Sequence, residues 1–337
     1  MAIKKKDTYI KWWMKRIAVL KGLSEEAKEF CPDIAEATIH YDSDEDVGSW
    51  SFLKLLTLAY YISVYTNIAK KWFEKIVYID LFAGDGFNYL RGINEAIIGS
   101  PVIAYTVPRK NTKKGENKDF DQMILVEIDK KKAQCLQKVI PKTAMIFPTS
   151  ANDPEVMHFI KKSLLDGRNN HYLAFIDPYA MQIHWNTLKE LMKIPGDLII
   201  IFLTNSVQRI WGSYYKEKDK PDKKILDDFF GDERWLEIPP SIEGGSIEDL
   251  LQLYISKIQT YREIVIPIKV HGLKGNFCYH MLVATRSTKS KSQWLDAVYR
   301  VKEKVEKVTD KDIELFFQVY NGQQLTMDDF ERETPQS

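Results

Sequence analysis

The sequence predicts an α/β fold built on a mostly parallel sheet with helices on both faces. Three observations carry that expectation. Apolar strand candidates alternate with helical segments between residues 76 and 203. Two further apolar stretches near the C-terminus are joined by only five residues. The first strand runs out into Asp80-Leu81-Phe82-Ala83-Gly84-Asp85-Gly86. Two glycines one residue apart at a strand end let backbone approach an adenosine-containing ligand.

In chain order, residues 8–23 (TYIKWWMKRIAVLKGL) alternate apolar and basic positions at helical spacing, and the acidic run 42–46 reads as a solvated loop. Residues 49–73 read as a long amphipathic helix capped by Ser49, with Phe52, Leu55, Leu56, Ala59, Tyr60 and Ser63 on one side. Strands are expected at 76–80, 122–128, 143–147, 171–177 and 197–203, with helices at 100–107, 129–139, 153–165 and 184–193. Residues 87–99 and 109–119 read as insertions. The segments 263–270 and 276–286 are separated by His271-Gly272-Leu273-Lys274-Gly275. A parallel crossover needs a dozen or more residues, so this pair must be an antiparallel hairpin. Five parallel strands and a terminal antiparallel hairpin make the strand count of a Rossmann-like seven-stranded methyltransferase sheet.

Residues 205–262 do not fit one strand–helix unit. They hold a Lys-rich loop (216–224), a helix near 222–230, the Pro239-Pro240 break, a Gly244-Gly245 turn and a helix at 246–261. They read as an inserted helical region near the carboxyl edge of the sheet. Residues 290–306 read as a basic helix, and the polar tail after Gly322 as disordered. The organisation expected is therefore an N-terminal helical extension (1–73), a methyltransferase-like Rossmann domain (74–310) carrying the insertion, and a C-terminal tail (311–337).

Composition narrows the classes. The 337 residues are 45% hydrophobic and 28% charged, enough for a sizeable core. The 48 Lys and Arg nearly cancel the 47 Asp and Glu, so any nucleic-acid contact must come from a local patch. Cys31, Cys135 and Cys278 lack metal or disulfide spacing, and the six histidines show no ligand pairing, so no metal site is expected. No apolar run approaches the ~20 residues that span a bilayer, and no signal peptide opens the chain. The expectation is a soluble, cytoplasmic protein.

In an open α/β sheet, ligands bind beyond the carboxyl ends of the strands. The first strand end supplies Asp80, Phe82, Gly84 and Gly86. A dinucleotide fingerprint would place a third glycine or alanine at position 89, which is Tyr89, so the turn points to S-adenosylmethionine rather than NAD. The second strand ends Leu125-Val126-Glu127-Ile128-Asp129; a carboxylate there offers two acceptor oxygens at diol spacing, and Glu127 is preferred over Asp129, the better N-cap for the next helix. After the third strand, Asn152 or Asp153 is placed to read the adenine amine, although Asp153 followed by Pro154 equally reads as a helix cap.

The fourth strand ends Ala174-Phe175-Ile176-Asp177-Pro178-Tyr179. An acid, a proline and an aromatic suit methylation of an exocyclic amine. The amine's lone pair is delocalised into its ring. The Asp177 carboxylate and Pro178 carbonyl can accept its two hydrogens, and Tyr179 can stack on a flipped or unpaired base. The bland alternative is that Asp177-Pro178 merely ends a strand. The basic stretch Arg286–Lys291, with Arg300, Lys302 and Lys304, reads either as a phosphate track or as a solvated helix face.

The segments YIDLFAGDGF, IIGSPVIAY, LVEID, FIDPYAMQIHWNTLKEL, LDDFFGDERW and GNFCYHMLVATRS, in this order across roughly residues 50–305, resemble the three-Cys-motif partner protein (TcmP) family. The resemblance implies a class I S-adenosylmethionine-dependent methyltransferase-like protein whose three cysteines belong to a separate partner protein. It maps Asp80, Gly84, Gly86, the Gly99-Ser100-Pro101 helix start, Glu127, Asp177, Pro178 and Tyr179 onto the cofactor and catalytic edge. Family members often carry Gly-Asp-Ala-Asn after the third strand, where this chain has Thr149-Ser150-Ala151-Asn152, which leaves Asn152 as the adenine candidate. The single proline of Asp177-Pro178-Tyr179 looks closer to the Asp-Pro-Phe of tRNA dimethylguanosine methyltransferases than to the double proline of DNA adenine enzymes, which favours RNA over DNA.

The function expected is transfer of a methyl group from S-adenosylmethionine to an exocyclic amine of a nucleic-acid base. The alternative of a different class is a non-catalytic accessory subunit that scaffolds a three-Cys-motif partner. NAD-dependent oxidoreduction is disfavoured by Tyr89 and the terminal hairpin.

Overall fold

The computed structural model describes residues 2–32, 50–90, 92–110, 117–140, 144–218, 220–240, 245–272, 278–287 and 292–323, with the backbone alone for 2–8. The expected Ser49 cap, the acidic run 42–46, Gly244, Leu273–Gly275 of the hairpin connection, Lys289 and Lys291, and the tail beyond Gln323 lie outside the described residues.

The sheet is built from β1 (Lys75–Asp80), β4 (Gln122–Val126), β5 (Ala144–Phe147), β6 (Asn170–Ile176), β7 (Gly196–Phe202), β8 (Ile264–His271) and β9 (Cys278–Thr285), in the order β5-β4-β1-β6-β7-β9-β8. The first five strands run parallel, and β9 is antiparallel to both β7 and β8. This is the mixed seven-stranded sheet of the methyltransferase fold. β1 lies between β4 and β6, so the chain reverses its direction of sheet growth there, and a crevice opens at the carboxyl edge. Register aligns that edge: Asp80 pairs with Leu125 and Phe175, and Val126 with Phe147. The segment expected as an insertion after Gly86 forms a separate hairpin, β2 (Phe87–Leu90) and β3 (Glu95–Ile98).

Strand alternation divides the core in two. Ile76, Tyr78, Leu173, Phe175, Ile199 and Ile201 face one side, where they meet α1 (Ala2–Phe30), α2 (Trp50–Ala69), α3 (Ser100–Lys110), α10 (Gln293–Val305) and α11 (Asp310–Tyr320). Val77, Ile79, Tyr172, Ala174, Ile176 and Ile200 face the other, under α5 (Pro154–Leu164), α6 (Trp185–Met192), α7 (Thr204–Glu217), α8 (Lys220–Phe230) and α9 (Ile247–Gln259). The remaining helix, α4 (Lys130–Val139), follows β4 and packs Leu136 into the first core.

Three segments differ from their sequence reading. The helix expected to be amphipathic, α2, is buried nearly all round, because it contacts α1 and α10 as well as α3. Residues 311–320, expected within the tail, form most of α11. A reciprocal Thr309–Asp312 capping box starts that helix, and its Phe316 and Phe317 rings lie 5.2 and 5.5 Å from Trp13 and Phe52. The Lys-rich stretch 216–224, expected as a loop, is mostly helical. Lys218 ends α7 in the left-handed conformation, and Leu226, Phe229 and Phe230 give α8 an apolar face. Lys223–Asp227 and Lys224–Asp228 pairs at helical spacing support it at 2.7 and 2.5 Å.

A single arginine ties the far edge of the sheet together. Arg262 is wholly buried, and its guanidinium donates to the carbonyls of Gly196 (2.8 Å), Met192 (2.5 Å), Ile194 (2.7 Å) and Tyr261 (2.9 Å) and to the Tyr172 hydroxyl (2.9 Å). It thereby satisfies the turn between α6 and β7, whose carbonyls would otherwise be stranded.

Candidate active site

The carboxyl ends of β1, β4 and β6 meet the start of α2 around a cavity of about 440 Å³, within the usual range for small-molecule sites.

The β1 turn forms its floor. Gly84 has φ +65°, and a Cβ built there would meet nothing within 4 Å, so at this position glycine is required by conformation and not by crowding. Gly86, at φ +103°, is also crowded: a Cβ would lie 3.2 Å from Val102 and 3.4 Å from Leu136. The turn is held from below by Asp80, which is wholly buried and accepts from the Phe82 amide (3.1 Å) and the Tyr78 hydroxyl (3.1 Å), with Ser100 as a further hydroxyl partner. Burial pushes the Asp80 carboxyl up to about 7, against the pull of those three donors and with the nearby Asp177 carboxylate pushing the same way.

Glu127 is buried, and both its oxygens are fixed by backbone: Oε2 accepts from the Gly84 amide at 2.9 Å and Oε1 from the Asp129 amide at 2.8 Å. Each oxygen keeps acceptor capacity beyond those bonds. Asp129 itself caps α4, accepting from Lys131 and Lys132.

Asp177 meets a partner that the strand-end reading did not foresee. The Lys54 ammonium, from α2, lies 2.5 Å from Asp177 Oδ2, and the two side chains are only 14% and 19% exposed. Lys54 is the lone charge in a twenty-residue helix that is otherwise apolar or neutral polar, which is the signal that could have marked it. Ser51 and Leu55 from the same helix, Thr149 and Ser150 after β5, and Tyr279 on β9 also line the cavity. The Tyr279 hydroxyl donates to the Trp50 carbonyl at 3.3 Å; burial pushes it well above its ordinary value, and Asp177 adds to the effect.

Of the residues singled out from sequence, Phe82, Gly84, Ser100, Glu127, Asp177, Pro178 and Tyr179 line this one cavity. Asp80 and Gly86 stand behind its wall as supports. Asn152 and Asp153 do not line it. The Asn152 carboxamide is engaged elsewhere: its oxygen accepts from the His184 amide (2.9 Å) and the Thr187 hydroxyl (3.0 Å), and its nitrogen donates to the Gln182 carbonyl (2.8 Å). Asp153 caps α5 with Pro154 at the first helical position, and its carboxylate accepts from the Glu155 amide and the Thr149 hydroxyl. Those hydrogen bonds hold its carboxyl below the usual range.

Among the described residues, no three His, Cys, Asp or Glu side chains gather as a metal set, and no helix is long and apolar enough to cross a membrane.

No family model and no curated protein sequence matches the chain. Solved structures do. The Legionella pneumophila protein LPL1258, of the DUF519 family model, aligns over 74% of this chain and 91% of its own at 10% identity, TM-score 0.43. The plantazolicin methyltransferase BpumL, in complex with a monoazolic desmethylPZN analog and SAH, aligns over 88% and 95% at 13% identity, TM-score 0.34. The same enzyme in complex with SAH aligns over 88% and 95% at 12% identity, TM-score 0.35. At that identity and overlap neither protein assigns a role to any residue of this chain.

Proposed function

We propose that the chain is an S-adenosylmethionine-dependent methyltransferase acting on an exocyclic amine of a nucleic-acid base, RNA before DNA. One observation carries the reading: the Gly84 turn, the anchored Glu127 carboxylate and the Asp177-Pro178-Tyr179 strand end line a single cavity at the sheet's switch point.

The residues fit the cofactor. Glu127, with each oxygen oriented by a backbone amide, is set to accept the two ribose hydroxyls. Ile128, which is 68% exposed beside it, offers an apolar face to the adenine. The open Gly84 turn and Ser100 would hold the methionine end. The cofactor would supply a methyl group activated on a sulfonium. On the acceptor side, Lys54 holds one Asp177 oxygen, which fixes the carboxylate so that an N–H of the substrate can be oriented by it and by the Pro178 carbonyl. Tyr179 stacks on the base. Catalysis is then mostly alignment, with no strong base required. The three thiols are free, which fits a cytoplasmic protein.

The test is ligand-dependent stability. S-adenosylmethionine or SAH at 100 times its dissociation constant should add about 2.7 kcal/mol. Glu127→Gln should weaken that binding by about one to two decades, because an amide nitrogen would face a backbone donor. Asp177→Ala should abolish methyl transfer to RNA while leaving SAH binding within a fewfold. Absence of any shift with either nucleoside would end the reading.

A second reading is favoured by the Lys54–Asp177 pair, which already occupies the carboxylate meant for substrate: an accessory subunit that scaffolds a three-Cys-motif partner. It predicts SAH binding without turnover, and a partner complex indifferent to Asp177→Ala.

A further inference from the structure

The helix that starts two residues after the cavity's Ile128 wall carries charges that its dipole does not favour. Lys130, Lys131 and Lys132 fill the first turn of α4, and no acid accompanies them in that turn. Three cations therefore sit at the positive end of the helix dipole, the destabilising sign. Asp129, the capping acid, is spent on the helix, accepting from the Lys131 and Lys132 amides at 2.7 and 3.1 Å. Lys130 and Lys131 are exposed. The Lys132 ammonium lies 5.9 Å from the centroid of the Tyr179 ring, and that ring is 68% exposed while lining the cavity. Ile128, two residues before Lys130, is a wall of the same cavity. With a formal net charge of only +1, the chain has no global field to attract a polyanion, so this strip is local by construction.

We propose that this rim of the cavity is the docking site of a single-stranded nucleic acid, with Lys132 beside Tyr179 and the exposed Lys130 and Lys131 of the same turn fanning out to further backbone phosphates, and Tyr179 stacking the base presented to the cavity. The proposal deepens the methyl-transfer reading and rests on it for the identity of the cavity. Lysines without a fixed fork geometry suit phosphates at varied spacing, and an exposed ring at a cavity mouth can stack only a base whose face is free, which excludes a closed duplex.

The experiment measures anisotropy of the full chain with labelled single strands of about 12 nucleotides, RNA and DNA of one sequence, alone and annealed, across a salt series. The single strands should bind and the duplexes should not compete. The triple variant Lys130→Gln/Lys131→Gln/Lys132→Gln should flatten the log–log salt slope by about 2, at roughly 0.7 per phosphate. Tyr179→Ala should lose about tenfold in affinity with the slope unchanged. The RNA and DNA arms decide which strand is preferred. An unchanged slope in the triple variant, unchanged affinity in Tyr179→Ala, or preference for duplex overturns the proposal, as does protein capture through these lysines without oligonucleotide binding. SAH-dependent stability of the same variants separates the two readings. SAH binding with no oligonucleotide binding removes this site alone. Oligonucleotide binding as described, with no SAH binding, removes the methyl-transfer reading and leaves the docking site.

Discussion

Replacing Asp80 by Asn should stabilise the protein above neutral pH and change it little at pH 5. The carboxyl beneath the glycine turn is wholly buried, and burial pushes it up to about 7 from an ordinary 3.8. At 1.36 kcal/mol per pH unit, that rise is worth roughly 4 kcal/mol. Its sign comes from linkage. Between 3.8 and about 7 the native protein holds a proton that the unfolded chain has released. The stability due to the protonated carboxyl is therefore complete below 3.8, declines as pH rises, and is gone once pH passes about 7. Asp80→Asn keeps an acceptor for the Phe82 amide (3.1 Å) and removes the charge. The variant should be near wild type or slightly weaker at pH 5 and about 2–4 kcal/mol more stable at pH 8, some of the gain being offset by imperfect pairing of the new amide. Urea unfolding of both proteins at each pH from 5 to 9 reads the difference, which cancels the titration of every other group. A difference that stays constant from pH 5 to 8 would show that Asp80 is ionised throughout and that burial does not govern it.

Arg262→Leu should cost about 3–5 kcal/mol in urea unfolding, because the carbonyls of Met192, Ile194 and Gly196 lose buried donors; a loss under 1 kcal/mol would mean that water replaces the guanidinium. For Lys54→Met and Asp177→Asn, a double-mutant cycle should give a coupling of about 1–2 kcal/mol, less than a fully buried pair because both side chains keep some exposure, and a coupling under about 0.5 would show the pair to be incidental.

Periodicity and chain length made much of the fold legible in the sequence. β1, β6 and β7 are buried on both faces, so their continuous apolar runs are readable without any partner. The β8–β9 pairing is dictated by a connection too short for a crossover. Strand-final residues were readable as site candidates because register brings Asp80, Leu125 and Phe175 level. The rest depended on which elements pack together. One apolar stripe was expected on α2, but with helices on several sides its other faces are buried too, and Lys54 points its charge to a strand end 123 positions later in the chain. Nothing local distinguishes Asn152 as an adenine reader from Asn152 as a brace, since either role needs the same amide. The competing bonds to His184, Thr187 and Gln182 arise from the start of α6 and the loop before it, some thirty residues away.

The placement of α2 also decides how a substrate reaches the cavity. Trp50, Ser51, Lys54 and Leu55 fall within less than two turns and share one side of the helix. The Trp50 carbonyl accepts from Tyr279, Lys54 pairs with Asp177, and Ser51 and Leu55 line the cavity. Thirteen of the twenty residues of this helix are buried, against α1, α3 and α10. Nine of these are large apolar side chains, and at about 1.5–3 kcal/mol each, lifting α2 would cost about 14–27 kcal/mol, as much as or more than the roughly 5–15 kcal/mol that holds a typical domain together. The α2 wall is therefore fixed core and not a lid. Among the described residues, the cavity is open at the rim where Ile128 and Tyr179 are both 68% exposed, Ile128 lying two residues before the lysines of α4 begin. Under the proposed function, a single strand tracking that rim would bring a base to Asp177 without moving any helix, and the cavity's shape, not a closing motion, would select what is presented.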